Sequence, residues 1–132
     1  MLLRVYTDGG SRGNPWEAGL WVYISDKEGK PLERRYKYLG TTTNNVAEYT
    51  GALYGIRRAI ELWATQIELY MDSKLVIQQL SWEWKIKNQD LRNIHSEIGK
   101  ILWDVKVSYT WIPREKNTEA DALSNKAMDE KI

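Results

Sequence analysis

A chain of 132 residues, 42% hydrophobic and 28% charged, has the size and composition of one ordinary globular domain with a substantial core. No cysteine and a single histidine, His95, exclude disulfides, thiolate metal centres, cysteine nucleophiles and a histidine-built zinc site; any metal must be held by oxygen, which favours Mg2+ or Mn2+. The net charge of +1 neither announces nor excludes a nucleic-acid partner. No apolar run is long enough to span a membrane and no secretory leader precedes the first strand, so a cytoplasmic location is expected.

Leu2 to Tyr6 reads as a strand, apolar, aromatic or β-branched except at Arg4. It delivers Asp8 into Gly9-Gly10 and on through Ser11-Arg12-Gly13-Asn14-Pro15, a glycine-rich turn that sets a hard oxygen ligand where other groups can approach closely. A lone Asp-Gly pair is ordinarily just a turn. Glycine loops that bind dinucleotides feed directly into a helix, whereas Glu17–Ile24 reads as a strand. Asp26–Pro31 is a turn cluster, so Leu20–Ile24 and Glu33–Leu39 should pair as a hairpin, giving a three-stranded antiparallel meander.

Thr41-Thr42-Thr43-Asn44-Asn45 precedes a helix predicted to run to about Trp63, with Thr or Asn as its cap and Glu48 in or near its first turn. Tyr49, Ala52, Leu53, Ile56, Ile60 and Trp63 form its core stripe. Ala52, Gly55 and Ala59 are small enough to bring it close to the sheet. Alone, Glu48 would be read as a complement to the helix dipole. Ile67–Met71 is the next strand and ends in Asp72-Ser73-Lys74, where Asp72 reads as the cap of a helix beginning near Leu75. Ser81–Gln89 links to a helix with the stripe Leu91, Ile94, Ile98, Ile101 and Leu102; His95 sits at the edge of this stripe as a packed or half-exposed helix residue. Val105, Val107, Tyr109 and Trp111 alternate with polar residues as a half-buried strand. A polar loop over 113–117 leads to a last helix, capped by Asn117 or Thr118 and carrying Asp121. The order β-β-β-α-β-α-α-β-α predicts an α/β protein with a mixed five-stranded sheet and helices on its faces, in one domain over residues 1–132.

Each acidic residue has an ordinary reading by itself. Together, Thr7-Asp8-Gly9, Thr43-Asn44-Asn45-Val46-Ala47-Glu48, Met71-Asp72-Ser73 and Asn117-Thr118-Glu119-Ala120-Asp121 resemble the motifs of the ribonuclease H type 1 family in order and element type. The resemblance covers essentially the whole chain. It implies a ribonuclease H-like fold, with three antiparallel strands followed by two parallel additions, and endonucleolytic cleavage of the RNA strand of an RNA/DNA hybrid to 5′-phosphate and 3′-hydroxyl ends. It further implies that Asp8, Glu48, Asp72 and Asp121 hold two Mg2+ ions, with Mn2+ as a substitute. Ions roughly 4 Å apart suit the activation of water and stabilisation of the leaving oxygen.

By the same resemblance, Asn14, Asn44 and Asn45 reach the minor groove, Thr43 holds a phosphate of the DNA strand, and Trp82 or Trp84 packs against DNA sugars. A hybrid's shallow minor groove exposes 2′-hydroxyls, so amides there distinguish RNA from DNA without reading sequence. The implied partner is the hybrid, with no membrane and no obligate protein partner, and the protein is expected to be a monomer.

Three departures from the better-known members stand out. Many bacterial forms have a loop histidine before the last helix, and here the loop carries Arg114 instead, which could contact the scissile phosphate or help release product. A lysine-rich protrusion is missing, the stretch Trp82–Asp90 holding only Lys85 and Lys87. No additional hybrid-binding domain or appended enzyme is expected. The last two imply weaker or more salt-sensitive binding. Two rival readings are a silent nucleic-acid-binding module of this fold and another metal-dependent nuclease or strand transferase. The first is opposed by the mutual repulsion of four crowded carboxylates without a metal, the second by the Asn-rich approach to Glu48.

Overall fold

The structure is a computed structural model and describes residues 1–12, 16–81 and 85–117. Its strands are β1 (Leu2–Ser11), β2 (Trp16–Asp26), β3 (Pro31–Thr42), β4 (Gln66–Met71) and β5 (Lys106–Trp111); its helices are α1 (Asn44–Glu61), α2 (Lys74–Leu80) and α3 (Gln89–Ile101), and one 3-10 turn spans Arg114–Lys116. The five strands form one sheet in the order β3-β2-β1-β4-β5. β1 is antiparallel to β2 and parallel to β4, which is in turn parallel to β5. The anticipated sheet is therefore present; the final helix of the sequence reading lies outside the described residues.

Alternation sorts β1 into two faces. Leu3, Val5 and Thr7 point with Leu20, Val22 and Ile24 of β2 and Ile67, Leu69 and Met71 of β4 into the core, and all are buried. α1 lies on this face. It comes close because a Cβ at Gly55 would meet Thr7 Cγ2 at 2.7 Å and Val5 Cγ1 at 2.8 Å, and one at Gly51 would lie 3.3 Å from the Asp8 carbonyl oxygen. α3 packs on α1 through Leu91 and Ile98. The other face carries tyrosines: Tyr6 stacks on Tyr70 with centroids 4.8 Å apart, Trp21 stacks on Tyr23 at 5.9 Å, and the Arg34 guanidinium lies 5.1 Å from the Tyr23 centroid.

Three local expectations are corrected. β1 does not end at Asp8 but continues through Gly9 and Gly10 to Ser11, paired with β2 as far as Ser11 with Ala18. Gly9 serves there to admit α1 rather than to turn the chain: a Cβ on it would lie 2.2 Å from the Ala47 carbonyl oxygen. α1 stops at Glu61, and Trp63 is not in the core but 84% exposed at φ 70°. The Ala64 amide donates to the Ala59 carbonyl (3.0 Å) and the Trp63 amide to the Ile60 carbonyl (2.9 Å), a Schellman reversal that swings Trp63 out of the stripe. Trp111 is 47% exposed, because its indole turns to the backbone of Asp72 instead of the core.

Candidate active site

The parallel register of β1 and β4 decides which side chains meet. Its last pair is Tyr6 with Tyr70, and two residues further along each strand stand Asp8 and Asp72, level with one another where backbone pairing has ceased. Glu48 is the fifth residue of α1, too far along to complement the first-turn amides, and the close seating over Gly9 carries it to the same place. One carboxylate oxygen from each of Asp8, Glu48 and Asp72 lies within 4.8 Å of the others. Asp8 is buried and the other two are half-buried.

This crowding has an electrostatic signature. Burial pushes the Glu48 carboxyl up from 4.5 to about 7; a hydrogen bond from Ser73 opposes the shift, the Asp72 charge adds to it, and Asn44 and the Arg114 guanidinium pull it back. Ser73, not Asp72, caps α2, its hydroxyl oxygen accepting the Val76 amide at 3.3 Å. That leaves the hydroxyl hydrogen for Glu48. Asn44 is similarly bifunctional: its Oδ1 accepts the Ser11 amide at 3.1 Å while its side chain also bonds Glu48, linking the end of β1 to the helix carboxylate.

Thr43 caps α1, its Oγ1 accepting the Val46 amide at 3.2 Å, and its hydroxyl hydrogen faces no such demand. Asn45 is exposed on the first turn. Arg114 is exposed on the 3-10 turn after β5, close enough for its charge to act on Glu48. His95 is on α3, bonded to the backbone of Gln79 and lowered in pKa by burial; it is not one of the cluster. Asn14, Trp82, Trp84 and Asp121 lie outside the described residues.

Sequence reasoning missed the parts played by Ser73, Trp111 and Asn117. A Ser three residues before Val76 is a helix-cap signature and could have been read as one. The bond from the Trp111 indole to the Asp72 carbonyl (3.1 Å) and that from the Asn117 side-chain amide to the Thr7 carbonyl (3.1 Å) span 39 and 110 residues and leave no local signal.

The donor set is oxygen alone, and Glu48 is held where its ionisation is opposed by burial and by Asp72, an imbalance that a divalent cation would relieve. A central strand antiparallel on one side and parallel on the other, with one carboxylate on it and one just past its parallel neighbour facing a third from the covering helix, defines a ribonuclease H-like protein.

The family model described as reverse transcriptase-like matches residues 6–127. A bifunctional protein of Mycobacterium tuberculosis is 40% identical over 131 residues, covering 98% of this chain and 36% of that protein. A ribonuclease HI of Halobacterium salinarum is 36% identical over 134 residues, covering 97% of this chain and 65% of that protein. The crystal structure of ribonuclease H1 from that archaeon superposes with a TM-score of 0.95 at 34% identity, covering 98% of this chain and 99% of the other. LC11-RNase H1, solved in complex with an RNA/DNA hybrid, gives 0.91 at 36% identity, with 97% of each chain covered. The chain thus spans about a third of the length of the first curated relatives it matches. It belongs to the ribonuclease HI-type family.

Proposed function

We propose that this chain hydrolyses the RNA strand of RNA/DNA hybrids, leaving 5′-phosphate and 3′-hydroxyl ends. The observation that carries the reading is the meeting of the Asp8, Glu48 and Asp72 carboxylates within 4.8 Å, in a member of the ribonuclease HI-type family. Those three, with Asp121, would hold divalent metal, Mg2+ by preference and two ions by analogy with the family. When bound, the metal supplies Lewis-acid stabilisation of charge on the reacting phosphate.

The remaining work falls to the chain. Ser73 and Asn44 fix the rotamer of Glu48 and oppose its protonation, keeping it ready as a ligand. Asn45, with Asn14, is suited to 2′-hydroxyls, and the Thr43 hydroxyl to a phosphate of the DNA strand. Arg114 supplies a permanently charged fork beside the carboxylates; it pairs with phosphate oxygens but does not shuttle protons at neutral pH. The binding partner is the hybrid, and the protein acts as a monomer. No helix among the described residues is long and apolar enough to cross a membrane.

The test is a cleavage assay in Mg2+ on matched RNA/DNA hybrid, double-stranded RNA and double-stranded DNA. Only the hybrid should be cut, and Asp8→Asn and Asp72→Asn should lose nearly all turnover while remaining folded. Near-normal cleavage by either variant would sink the assignment.

A further inference from the structure

The loop after β5 is stitched to both carboxylate-bearing strand ends. At its entry, the Ile112 amide donates to the Met71 carbonyl (2.9 Å) and the Trp111 indole to the Asp72 carbonyl (3.1 Å). The chain then makes a 3-10 turn, closed by the Lys116 amide on the Pro113 carbonyl (3.0 Å) and the Asn117 amide on the Arg114 carbonyl (2.9 Å). At its exit, the Asn117 side chain reaches across to β1 and donates to the carbonyl of Thr7, the residue before Asp8. This carbonyl lies just beyond the last β1–β4 pair, so the amide takes the place of a missing strand partner. Asn117 is only 3% exposed and Thr7 is fully buried, so losing this donor leaves a buried carbonyl without a protein partner.

We propose that Asn117 is a positioning residue: its bond to Thr7 holds the 3-10 turn against β1 and so keeps the Arg114 guanidinium beside the Glu48 carboxylate. The inference rests on the proposed hydrolysis of hybrid for its consequence in turnover. Both entry stitches lie on the β4 side, so without Asn117 the turn is free to swing away from β1 while the sheet and the carboxylate trio stay in place. Arg114 is carried on the first residue of that turn, and its displacement follows directly.

The experiment compares Asn117→Ala, Asn117→Asp, Arg114→Ala and the double variant Asn117→Ala/Arg114→Ala in hybrid cleavage at saturating Mg2+. Asp keeps the volume and loses the donor, so it serves where Ala disturbs folding. Each Asn117 variant should lower kcat at least tenfold, with a change in KM no larger than that of Arg114→Ala, and the double variant should be no more than twofold slower than Arg114→Ala. Wild-type kcat in both Asn117 variants overturns the proposal, as does a double variant whose loss is the product of the single losses, since independent effects mean that Asn117 does not act through Arg114. Amide exchange across 112–117 reads the placement without turnover: it should accelerate in both variants, and unchanged exchange overturns the clamp. A wild-type protein that cuts no hybrid while the exchange rates respond as expected refutes the proposed function and supports the clamp.

Discussion

Burial and the charge of Asp72 push Glu48 up to about 7 from an ordinary 4.5, which makes it a source of instability as well as a ligand. The folded pKa lies above the unfolded one, so holding Glu48 ionised costs the fold its full penalty above pH 7. The penalty shrinks between pH 7 and 4.5 and vanishes below. Glu48→Gln should therefore stabilise the metal-free protein by on the order of 3 kcal/mol above pH 7, with the two proteins converging below pH 4.5. Urea melts in a chelator across pH 4 to 8 would measure this, and a difference that ignores pH would refute burial as the cause. Mg2+ should stabilise the wild type but not the variant, and its affinity should fall as pH drops below 7, because a proton must leave Glu48. The amides beside it separate in the same way. Asn45→Ala should weaken hybrid binding by about 1 kcal/mol with kcat unchanged, since only a substrate contact is lost. Asn44→Ala should lower kcat as well, because Asn44 also ties Glu48 to Ser11. Equal kinetic effects of the two would refute the distinction.

At the scale of elements, α1 is set by two backbone details. Gly9 allows it to rest on β1, and Ala there would drive its Cβ into the Ala47 carbonyl, an atom that cannot give way. Gly9→Ala should cost more than about 3 kcal/mol and abolish Mg2+ binding through the displacement of Glu48, as read by melting and calorimetry. At the other end, Trp63 occupies the left-handed position of a complete Schellman motif, where glycine fits without penalty. Trp63→Gly should stabilise by about 1 kcal/mol, or about 4 °C in Tm, since an indole this exposed has little packing to lose. A lower Tm would mean that the ring makes contacts that outweigh the strain. These two sites also mark how far the sequence could be read. β1 was legible because Leu2 to Tyr6 is apolar, aromatic or β-branched except at Arg4, β5 because Val105 to Trp111 alternates with polar residues, and Asp8 and Asp72 were legible as acids that follow an apolar strand run. The extension of β1 was not, since Gly-Gly has the composition of a turn whether it bends the chain or admits a helix. Trp63 matched the helical period, and only hydrogen bonds beyond the stripe remove it. Asn117 was legible as a motif member, but its bond to Thr7 depends on how β1 and β5 are arranged in space.

Across the whole molecule, 19 basic and 18 acidic residues nearly cancel, and four of the arginines are engaged within the fold. Arg4 pairs with Glu68 at 3.0 Å, Arg35 and Arg58 share Glu33 at 2.8 and 2.7 Å, and Arg34 lies over Tyr23. These pairs tie β1 to β4 and β3 to α1, stabilising the scaffold rather than attracting a polyanion. Under the proposed function, hybrid binding would rely on a few cations, Arg114 beside Glu48 among them, since the stretch corresponding to a lysine-rich protrusion holds only Lys85 and Lys87. Two or three phosphate contacts correspond to a KM that rises on the order of 10- to 40-fold between 50 and 200 mM salt. kcat at saturating substrate should not follow, because a bound hybrid already has those contacts formed. Arg114→Ala should make the logarithmic salt slope of KM shallower by about one unit, which a stability loss in the loop would not do. A slope left unchanged by that substitution would mean that Arg114 meets no phosphate, and its place beside Glu48 would then be electrostatic support for the ligand alone.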